Sequence, residues 1–351
     1  MATWATPTNE TLYGQERQHA IDNAGIVNRT AFEVNIGLFT GLALVTVLIR
    51  FYIRGRHIRK MLLDDYLLVL GAACLVVSMS MLYWYSPQLF VVEALNTIPN
   101  KVIVTMDEVM PLLDGNKKIQ TFLGTNWTAI YAVKFSFLAY FWALVRNISP
   151  RLKPYFWSVV VFTTLSWAFV VSEGFILCPW FGVEAGEYPM TAPGGRANEE
   201  AVKCMPNTNR VLNISLTSLV TVLDVVTDVL IVTVPMIIIH RAKMSTPQKV
   251  ALGTFLSLSL MMVIMAVVRI VGSVRGSDAA LDVAWEMFWQ QLEGCVAVMM
   301  GSLTAFRGVF NRGDEKGSGE STGDLETAST GSPVQQQSLM PKSDSQQSGA
   351  R

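Results

Sequence analysis

Seven stretches of this sequence are each long and apolar enough to cross a lipid bilayer. They cover approximately residues 31–52, 66–85, 127–145, 155–177, 211–239, 250–271 and 283–306. A transmembrane helix needs about 20 mostly apolar residues, which is the length of each stretch. Only 15% of the residues are charged, against about 25% in soluble domains. The sequence therefore predicts an all-α polytopic membrane protein built as a seven-transmembrane-helix bundle.

Basic residues predict how this bundle is oriented. The segments that follow the first, third, fifth and seventh stretches are rich in arginine and lysine, and in a seven-span protein all four lie on one side. Their basic residues are Arg50, Arg54, Arg56, Arg59 and Lys60; Arg146, Arg151 and Lys153; Arg241, Lys243 and Lys249; and Arg307, Arg312 and Lys316. Short loops with this charge stay in the cytosol. We therefore expect the N-terminus outside and the C-terminus in the cytosol.

Three regions follow from this topology. Residues 1–30 are polar and lack the apolar core of a cleavable signal peptide, so we expect an extracellular N-terminal tail. Residues 31–310 form the seven-helix transmembrane domain. Residues 311–351 are rich in Gly, Ser, Thr and Gln with few large apolar side chains, a composition typical of a disordered cytoplasmic tail.

Two modifications are consistent with this orientation. Asn9 and Asn28 begin glycosylation sequons on the predicted outer tail. Cys178 and Cys204 flank the long loop between the fourth and fifth stretches, where an oxidising environment permits a disulfide. We expect the two cysteines to be joined.

Charged side chains also occur inside the predicted spans, where they are costly and usually face the interior of the bundle. The main group comprises Lys134, Asp224, Asp228, Glu286 and Glu293. Lys134, Asp224 and Glu293 fall near the middle of the bilayer at 1.5 Å per residue. We expect Lys134 to pair with an acid of the fifth or seventh helix, and Glu293 is the closest to it in depth.

A second pair is expected nearer the outer surface, between Glu173 and Arg269. The buried charges have two interpretations: they form a ligand pocket or a switch between two arrangements of the bundle, or they only hold the helices together. Asp64 and Asp65 begin the second helix, and we interpret them as complementing its dipole. The three histidines are scattered, so no metal site or other cofactor is expected, and the zero net charge argues against a nucleic-acid partner.

Several fragments in this order resemble the fungal rhodopsin-domain integral membrane proteins, over roughly residues 32–310. They are Arg50-Phe-Tyr-Ile-Arg54 with Asp64-Asp65-Tyr66, Lys134 through Leu138, Cys178-Pro179 with Cys204, Asp224 through Asp228 to Pro235, Arg269, and Trp285 through Glu293. The resemblance implies a filamentous-fungal protein, and relatives include receptor-like proteins linked to host sensing and proteins encoded beside toxin-biosynthesis enzymes.

The chain departs from two patterns that the word rhodopsin suggests. Retinal needs a Schiff-base lysine in the last helix, and residues 283–306 contain none. The usual animal-receptor motifs, Asp-Arg-Tyr after helix 3 and Asn-Pro-x-x-Tyr in helix 7, are also missing. Retinal binding and conventional G-protein coupling are therefore not expected.

Three functions remain open. The first is a receptor or sensor in the plasma membrane or an endomembrane, which the resemblance associates with a secondary-metabolite pathway. Such a protein would contact the lipid bilayer, an unknown small molecule and a cytosolic signalling partner that binds its basic turns. The second is a membrane-embedded cyclase or isomerase, with Asp224, Asp228 or Glu293 protonating an isoprenoid-like substrate. The third, a transporter, is disfavoured because no inverted repeat is visible.

Overall fold

The computed structural model describes residues 11–57, 63–98, 101–102, 115–148, 152–177, 210–241, 260–269, 271–272, 274–275 and 280–317, with positions 108 and 112. Within these ranges there are eight helices and one two-stranded hairpin. The helices are α1 (Gly14–Asp22), α2 (Arg29–His57), α3 (Leu63–Thr97), α4 (Gly115–Ile148), α5 (Leu152–Leu177), α6 (Arg210–Arg241), α7 (Leu260–Arg269) and α8 (Val283–Gly317). Strands β1 (Val274–Arg275) and β2 (Ala280–Leu281) pair antiparallel between α7 and α8.

Contacts at the two ends of the bundle show that successive long helices run in opposite directions. At one end, Arg50 of α2 binds Asp64 at the start of α3 and the Gly301 carbonyl of α8. At the other end, Glu93 of α3 accepts a hydrogen bond from the backbone N–H of Val283, at the start of α8. Helices α2, α4, α6 and α8 run one way, and α3, α5 and α7 return. An up-and-down order of this kind suits a chain that repeatedly crosses a bilayer.

Four helices are long and apolar enough to cross a membrane: Arg29–Arg56, Leu63–Thr97, Leu152–Gly174 and Ser215–Ile237. Much of their surface faces away from the protein, with exposed side chains such as Leu38, Val69 and Leu165. A multi-pass membrane protein explains that exposure, because lipid solvates apolar side chains. Helices α4 and α8 are more polar, and ten residues of α7 are described, so the count of seven spans remains a prediction.

The segment between the second and third predicted spans contains a shorter loop than the sequence suggested. Helix α3 continues past Pro87 to Thr97, where we expected an end near Tyr85, and α4 begins at Gly115 and not near Trp127. Proline removes one helical hydrogen bond. Burial of Leu89, Phe90 and Ala94 beyond it offsets that loss. Counting apolar residues along the sequence locates only the apolar segment of a helix. Both of these helices extend beyond their apolar segments.

The N-terminal region is also more ordered than a simple tail. Helix α1 and the turn after it bury Ile21 and Ala24 against Phe90 and Phe288 of the bundle. The backbone N–H of Ile26 donates to Asp282 Oδ2 at 2.9 Å. Residues 11–28 therefore cover the end of the bundle at which α8 begins.

The chain divides into two units, Met1–Val309 and Phe310–Arg351. The first contains all the contacts discussed below. In the second, residues 310–317 are the last turns of α8, so the predicted tail from 311 begins as a helix. The rest of that tail lies outside the described ranges.

One close helix contact positions the central helices. A Cβ atom on Gly71 of α3 would lie 3.2 Å from the carbonyl oxygen of Ala129 in α4. Glycine removes this crowding and lets the two backbones approach. Lys134, about one and a half turns further along α4, contacts α6.

Candidate functional site

Lys134 of α4 is buried against one face of α6. Its Nζ lies 2.8 Å from Asp224 Oδ1 and 2.8 Å from Asp228 Oδ1. It also donates to the carbonyl oxygen of Asp224 at 2.9 Å and to Thr227 Oγ1 at 2.8 Å. Spacing of three and four residues brings these α6 side chains onto one helical face. We call Lys134, Asp224, Thr227 and Asp228 the lysine cluster.

With both of its aspartates ionised, the lysine cluster carries more negative than positive charge. One ammonium faces two carboxylates, and its three N–H bonds already have four acceptor oxygens around them. Asp228 Oδ2 is buried and has no hydrogen-bond partner among the described atoms. Asp224 and Asp228 lie two residues either side of the centre of the Ser215–Ile237 span, so this unmatched oxygen is near the middle of that span.

A second ion pair adjoins the lysine cluster. Arg269 Nη1 of α7 lies 3.0 Å from Glu293 Oε2 of α8, and Nη2 donates to Thr221 Oγ1 at 3.0 Å. The guanidinium also lies over the Trp127 ring, 5.4 Å from its centroid. Thr221 precedes Asp224 by one helical turn, so a single face of α6 contacts both cations.

Lys134 pairs with acids of the fifth predicted helix, as expected, but Glu293, the acid closest to it in depth, is not its partner. Glu293 binds Arg269 and not Lys134, and Arg269 forms no ion pair with Glu173 in the part of the chain that the structure describes. Glu173 and Glu286 remain close to Arg269 and to each other, near enough for electrostatic interaction. The error arises because Cα depth ignores two things: which helices are neighbours, and how far a long arginine side chain reaches along the bundle.

A third buried cluster links α2 to α3. Arg50 is fully buried, and its Nη2 lies 2.6 Å from Asp64 Oδ2 and 3.0 Å from Asp65 Oδ1. Arg54 Nη1 binds the same two carboxylates, 2.7 Å from Asp64 Oδ2. Arg50 Nη1 also donates to the Gly301 carbonyl oxygen of α8 at 2.7 Å. We call Arg50, Arg54, Asp64 and Asp65 the arginine cluster.

Asp64 and Asp65 lie in the first turn of α3, as expected for acids that complement the helix dipole, and the arginine cluster gives them a second role. Both carboxylates are buried and bind arginine side chains of another helix. The signal was present in the sequence: two arginines four residues apart on one helix face, followed ten residues later by two acids across a short turn. That pattern predicts a paired helix hairpin, which the dipole argument overlooks.

Polar residues that the sequence analysis missed connect α8 to its neighbours. Ser78 donates to Gln291 Oε1 at 2.9 Å, and Gln291 reaches Thr40, which contacts Cys295 Sγ. Asn126 donates to the Gln290 carbonyl oxygen at 2.7 Å. Serine, threonine and asparagine are common in the helices of soluble proteins too, so the residue type alone does not predict a contact between helices.

A small, mostly apolar cleft adjoins the lysine cluster, and the space in it that water-sized spheres can occupy is about 40 Å³. Helices α4, α6, α7 and α8 contribute its walls. The described side chains that line it are Ile130, Val133, Lys134, Phe137, Asp228, Ile231, Val232, Met262, Ala297 and Met300. Only two of these, Lys134 and Asp228, are charged. The cleft therefore combines apolar walls with one polar end.

The other predicted site residues have mixed outcomes. Asn9, Cys178 and Cys204 lie outside the described residues, so that glycan site and the disulfide remain predictions. Asn28 is exposed, and its Oδ1 accepts a hydrogen bond from the Ala31 N–H at 2.8 Å, which caps α2. Cys74 and Cys295 are free thiols. Across the described ranges, no three side chains are grouped as metal ligands.

The apolar helices and their alternating directions define a helical multi-pass membrane protein. The family model of the fungal rhodopsin domain matches residues 49–312. The chain therefore belongs to the fungal rhodopsin-domain family, and the match includes the arginine cluster, the lysine cluster and the Arg269–Glu293 pair. No curated protein and no solved structure matches it.

Proposed function

We propose that this protein is a receptor-like sensor that binds a small molecule inside its helix bundle, as part of a secondary-metabolite pathway. The observation that carries the proposal is the lysine cluster, in which a surplus carboxylate borders an apolar cleft. A cluster needed only for packing gains nothing from an unmatched buried charge, because such charges are costly in membranes. Ligand sites typically combine apolar walls with a few polar groups in this way.

The position of the cleft supports sensing. Its walls come from four helices, and α6 also contacts Arg269 of α7 through Thr221. A ligand that altered the charge beside Asp228 would therefore act on the packing of α6 against α4 and α7. Switching needs such an element with two arrangements that the ligand binds unequally.

We further propose that the end carrying the arginine cluster faces the cytosol, and that basic turns there bind the signalling partner. The support is the density of basic residues in the predicted turns at that end. Glycosylation at Asn28 is expected, together with none at a sequon engineered beyond Asn311. Glycosylation of the engineered site would contradict the proposed orientation.

The sensing proposal is tested by fusing a proximity-labelling enzyme to the C-terminus and comparing three proteins in a filamentous-fungal host. They are the wild type, Asp228→Asn and the matched control Glu93→Gln, an equally conservative change of a buried acid on α3. We expect Asp228→Asn to change which cytosolic proteins are labelled and Glu93→Gln to leave them unchanged. Identical labelling by correctly folded Asp228→Asn would contradict the proposal.

A second candidate is a cyclase or isomerase acting on an isoprenoid-like substrate. It is supported by the same observation, since Asp228 Oδ2 borders an apolar cleft. We place it second because the carboxylate already binds the Lys134 ammonium. An enzyme predicts that Asp228→Asn causes one pathway intermediate to accumulate while labelling of cytosolic proteins stays the same.

A further inference from the structure

The hydrogen-bonding capacity of the lysine cluster limits which ligands the cleft can hold. Lys134 has no N–H to offer, because its three donors already face the Asp224 carboxylate, the Asp224 carbonyl, Thr227 and Asp228. Among the described groups that line the cleft, the buried polar atom without a partner is Asp228 Oδ2, which is an acceptor when the carboxyl is ionised. A ligand that enters the cleft must therefore donate at this point.

Charge narrows the choice further. With one ammonium and two carboxylates, the lysine cluster has one surplus negative charge in a region of low polarity. A hydroxyl group would satisfy the oxygen and leave that charge uncompensated. A carboxylate ligand would add a second surplus charge. A cationic donor satisfies the oxygen and balances the charge in one contact.

The rest of the cleft selects an apolar body. Eight of its ten described lining residues are aliphatic, aromatic or methionine, and they come from four different helices. We propose that this cleft binds a free apolar molecule carrying one primary ammonium group, with the ammonium donating to Asp228 Oδ2. This inference rests on the proposed ligand site and assigns the ligand's chemical class.

A free ligand fits the depth of the site better than a lipid headgroup does. Asp228 lies two residues from the centre of the Ser215–Ile237 span, about 3 Å along the helix axis. Headgroup amines occupy the interface, roughly 15 Å from the middle of the hydrocarbon core. A single-chain amine can place its head at Asp228 without carrying a phosphate with it.

The test measures binding of radiolabelled n-decylamine, n-decanol and n-decanoate to the full chain in phosphatidylcholine nanodiscs, with empty nanodiscs subtracted. We expect saturable binding of one decylamine per chain, decanol at least about tenfold weaker, and no saturable binding of decanoate. Asp228→Asn should weaken decylamine about tenfold or more, as expected for losing one charge-assisted contact. Glu93→Gln should leave its affinity unchanged.

A second variant tests the apolar walls without altering any charge. Val232→Phe enlarges a partly exposed lining residue and should reduce decylamine binding while the unfolding temperature stays the same. Equal affinities for the amine and the alcohol, or undiminished amine binding by Asp228→Asn, would overturn the assignment of an ammonium ligand. Displacement of decylamine by phosphatidylethanolamine in the nanodisc would assign the site to a lipid and overturn the free ligand.

Failure here is distinguishable from failure of the sensor proposal. If decylamine does not bind saturably but Asp228→Asn still changes the labelled cytosolic proteins, the ammonium class is wrong and sensing stands. If decylamine binds as expected but labelling never changes, the ligand site stands and the signalling role does not.

Discussion

The arginine cluster and the lysine cluster are both buried, and both join neighbouring helices, but their charges balance differently. The arginine cluster has two cations and two carboxylates, and Arg50 also binds a backbone carbonyl of α8. The lysine cluster has one cation and two carboxylates, one of whose oxygens has no partner among the described atoms and borders a cleft. The charges of the first arrangement balance within the protein, although Arg54 Nε has no hydrogen-bond partner among the described atoms. The second lacks one positive charge.

Under the proposed function, this difference in charge balance separates a structural role from a binding role. The balanced arginine cluster fixes how α2, α3 and α8 sit against one another. A cluster with surplus charge is expensive to retain at the middle of a span. Under the proposed function, a bound cation offsets the surplus negative charge beside the cleft. Substitutions in the two clusters can test this explanation.

The largest effect is expected from Arg50→Met. The change leaves Asp64 and Asp65 buried with only Arg54 to compensate them, and it removes the contact to Gly301. Breaking a buried ion pair on one side costs about 3–5 kcal/mol, and we expect the upper part of that range. The measurement is thermal unfolding in mild detergent. Arg56→Met, an exposed arginine of the same helix, is the matched control and should not change the midpoint.

Arg50→Lys extends this prediction, because lysine keeps the charge and loses the planar fork that binds two carboxylates and a carbonyl. We expect it to recover only part of the loss. Full recovery would mean that the arginine cluster needs charge alone, and the contrast in geometry with the lysine cluster would disappear.

Lys134→Met should cost somewhat less, near 3 kcal/mol, because Asp228 borders the cleft and can turn toward it. Adding Asp224→Asn should restore part of the stability, since it removes one of the carboxylates left without a cation. Adding Glu293→Gln should show much weaker coupling to Lys134→Met than Asp224→Asn does, because Glu293 binds Arg269. Double-mutant cycles from unfolding titrations in SDS provide the measurement. Strong coupling to Glu293, with none to Asp224, would contradict the observed pairing.

The sequence alone predicted the membrane class, the family and half of the charged side chains that are buried in the described residues, because long apolar stretches and the charges inside them have few interpretations. It did not predict burial of Arg50, Asp64, Asp65, Glu93 and Asp282. It did not predict which charges meet. Lys134, Asp224 and Glu293 have similar depths, and depth cannot tell whether α6 or α8 lies beside α4 at that point. The pairing of Asp64 and Asp65 was missed because a local explanation, the helix dipole, was sufficient without the arginines of α2. The cleft depends on packing among four helices and leaves no local pattern.

A smaller effect is expected from Trp127→Leu, which tests the Arg269–Glu293 pair. The Trp127 ring lies 5.4 Å from the Arg269 guanidinium. A desolvated cation–π contact contributes about 1–2 kcal/mol. The unfolding midpoint should therefore fall moderately. Trp157→Leu, on an exposed face of α5, is the control and should change it less. An equal loss for the two variants would show that the ring contributes only apolar area.

The smallest effect on stability is expected from Asp228→Asn, and it bears most directly on the contrast between the clusters. Asp224 remains to pair with Lys134, so the change removes only the surplus charge and leaves a neutral cluster. The amide can still accept from Lys134 through its oxygen and can donate toward the cleft. Loss of the ion pair and relief of the surplus charge oppose each other, so we expect the free energy of unfolding to change by less than about 1 kcal/mol.

Asp65→Asn is the corresponding change in the balanced arginine cluster. There the same loss of charge leaves two buried cations facing one carboxylate, and the cost should be several times larger. Both are read from SDS unfolding titrations of the full chain. A large loss for Asp228→Asn, equal to that for Asp65→Asn, would mean that both carboxylates are needed to hold Lys134. The surplus charge would then have a structural explanation, and the case for a ligand at Asp228 would rest on the cleft alone.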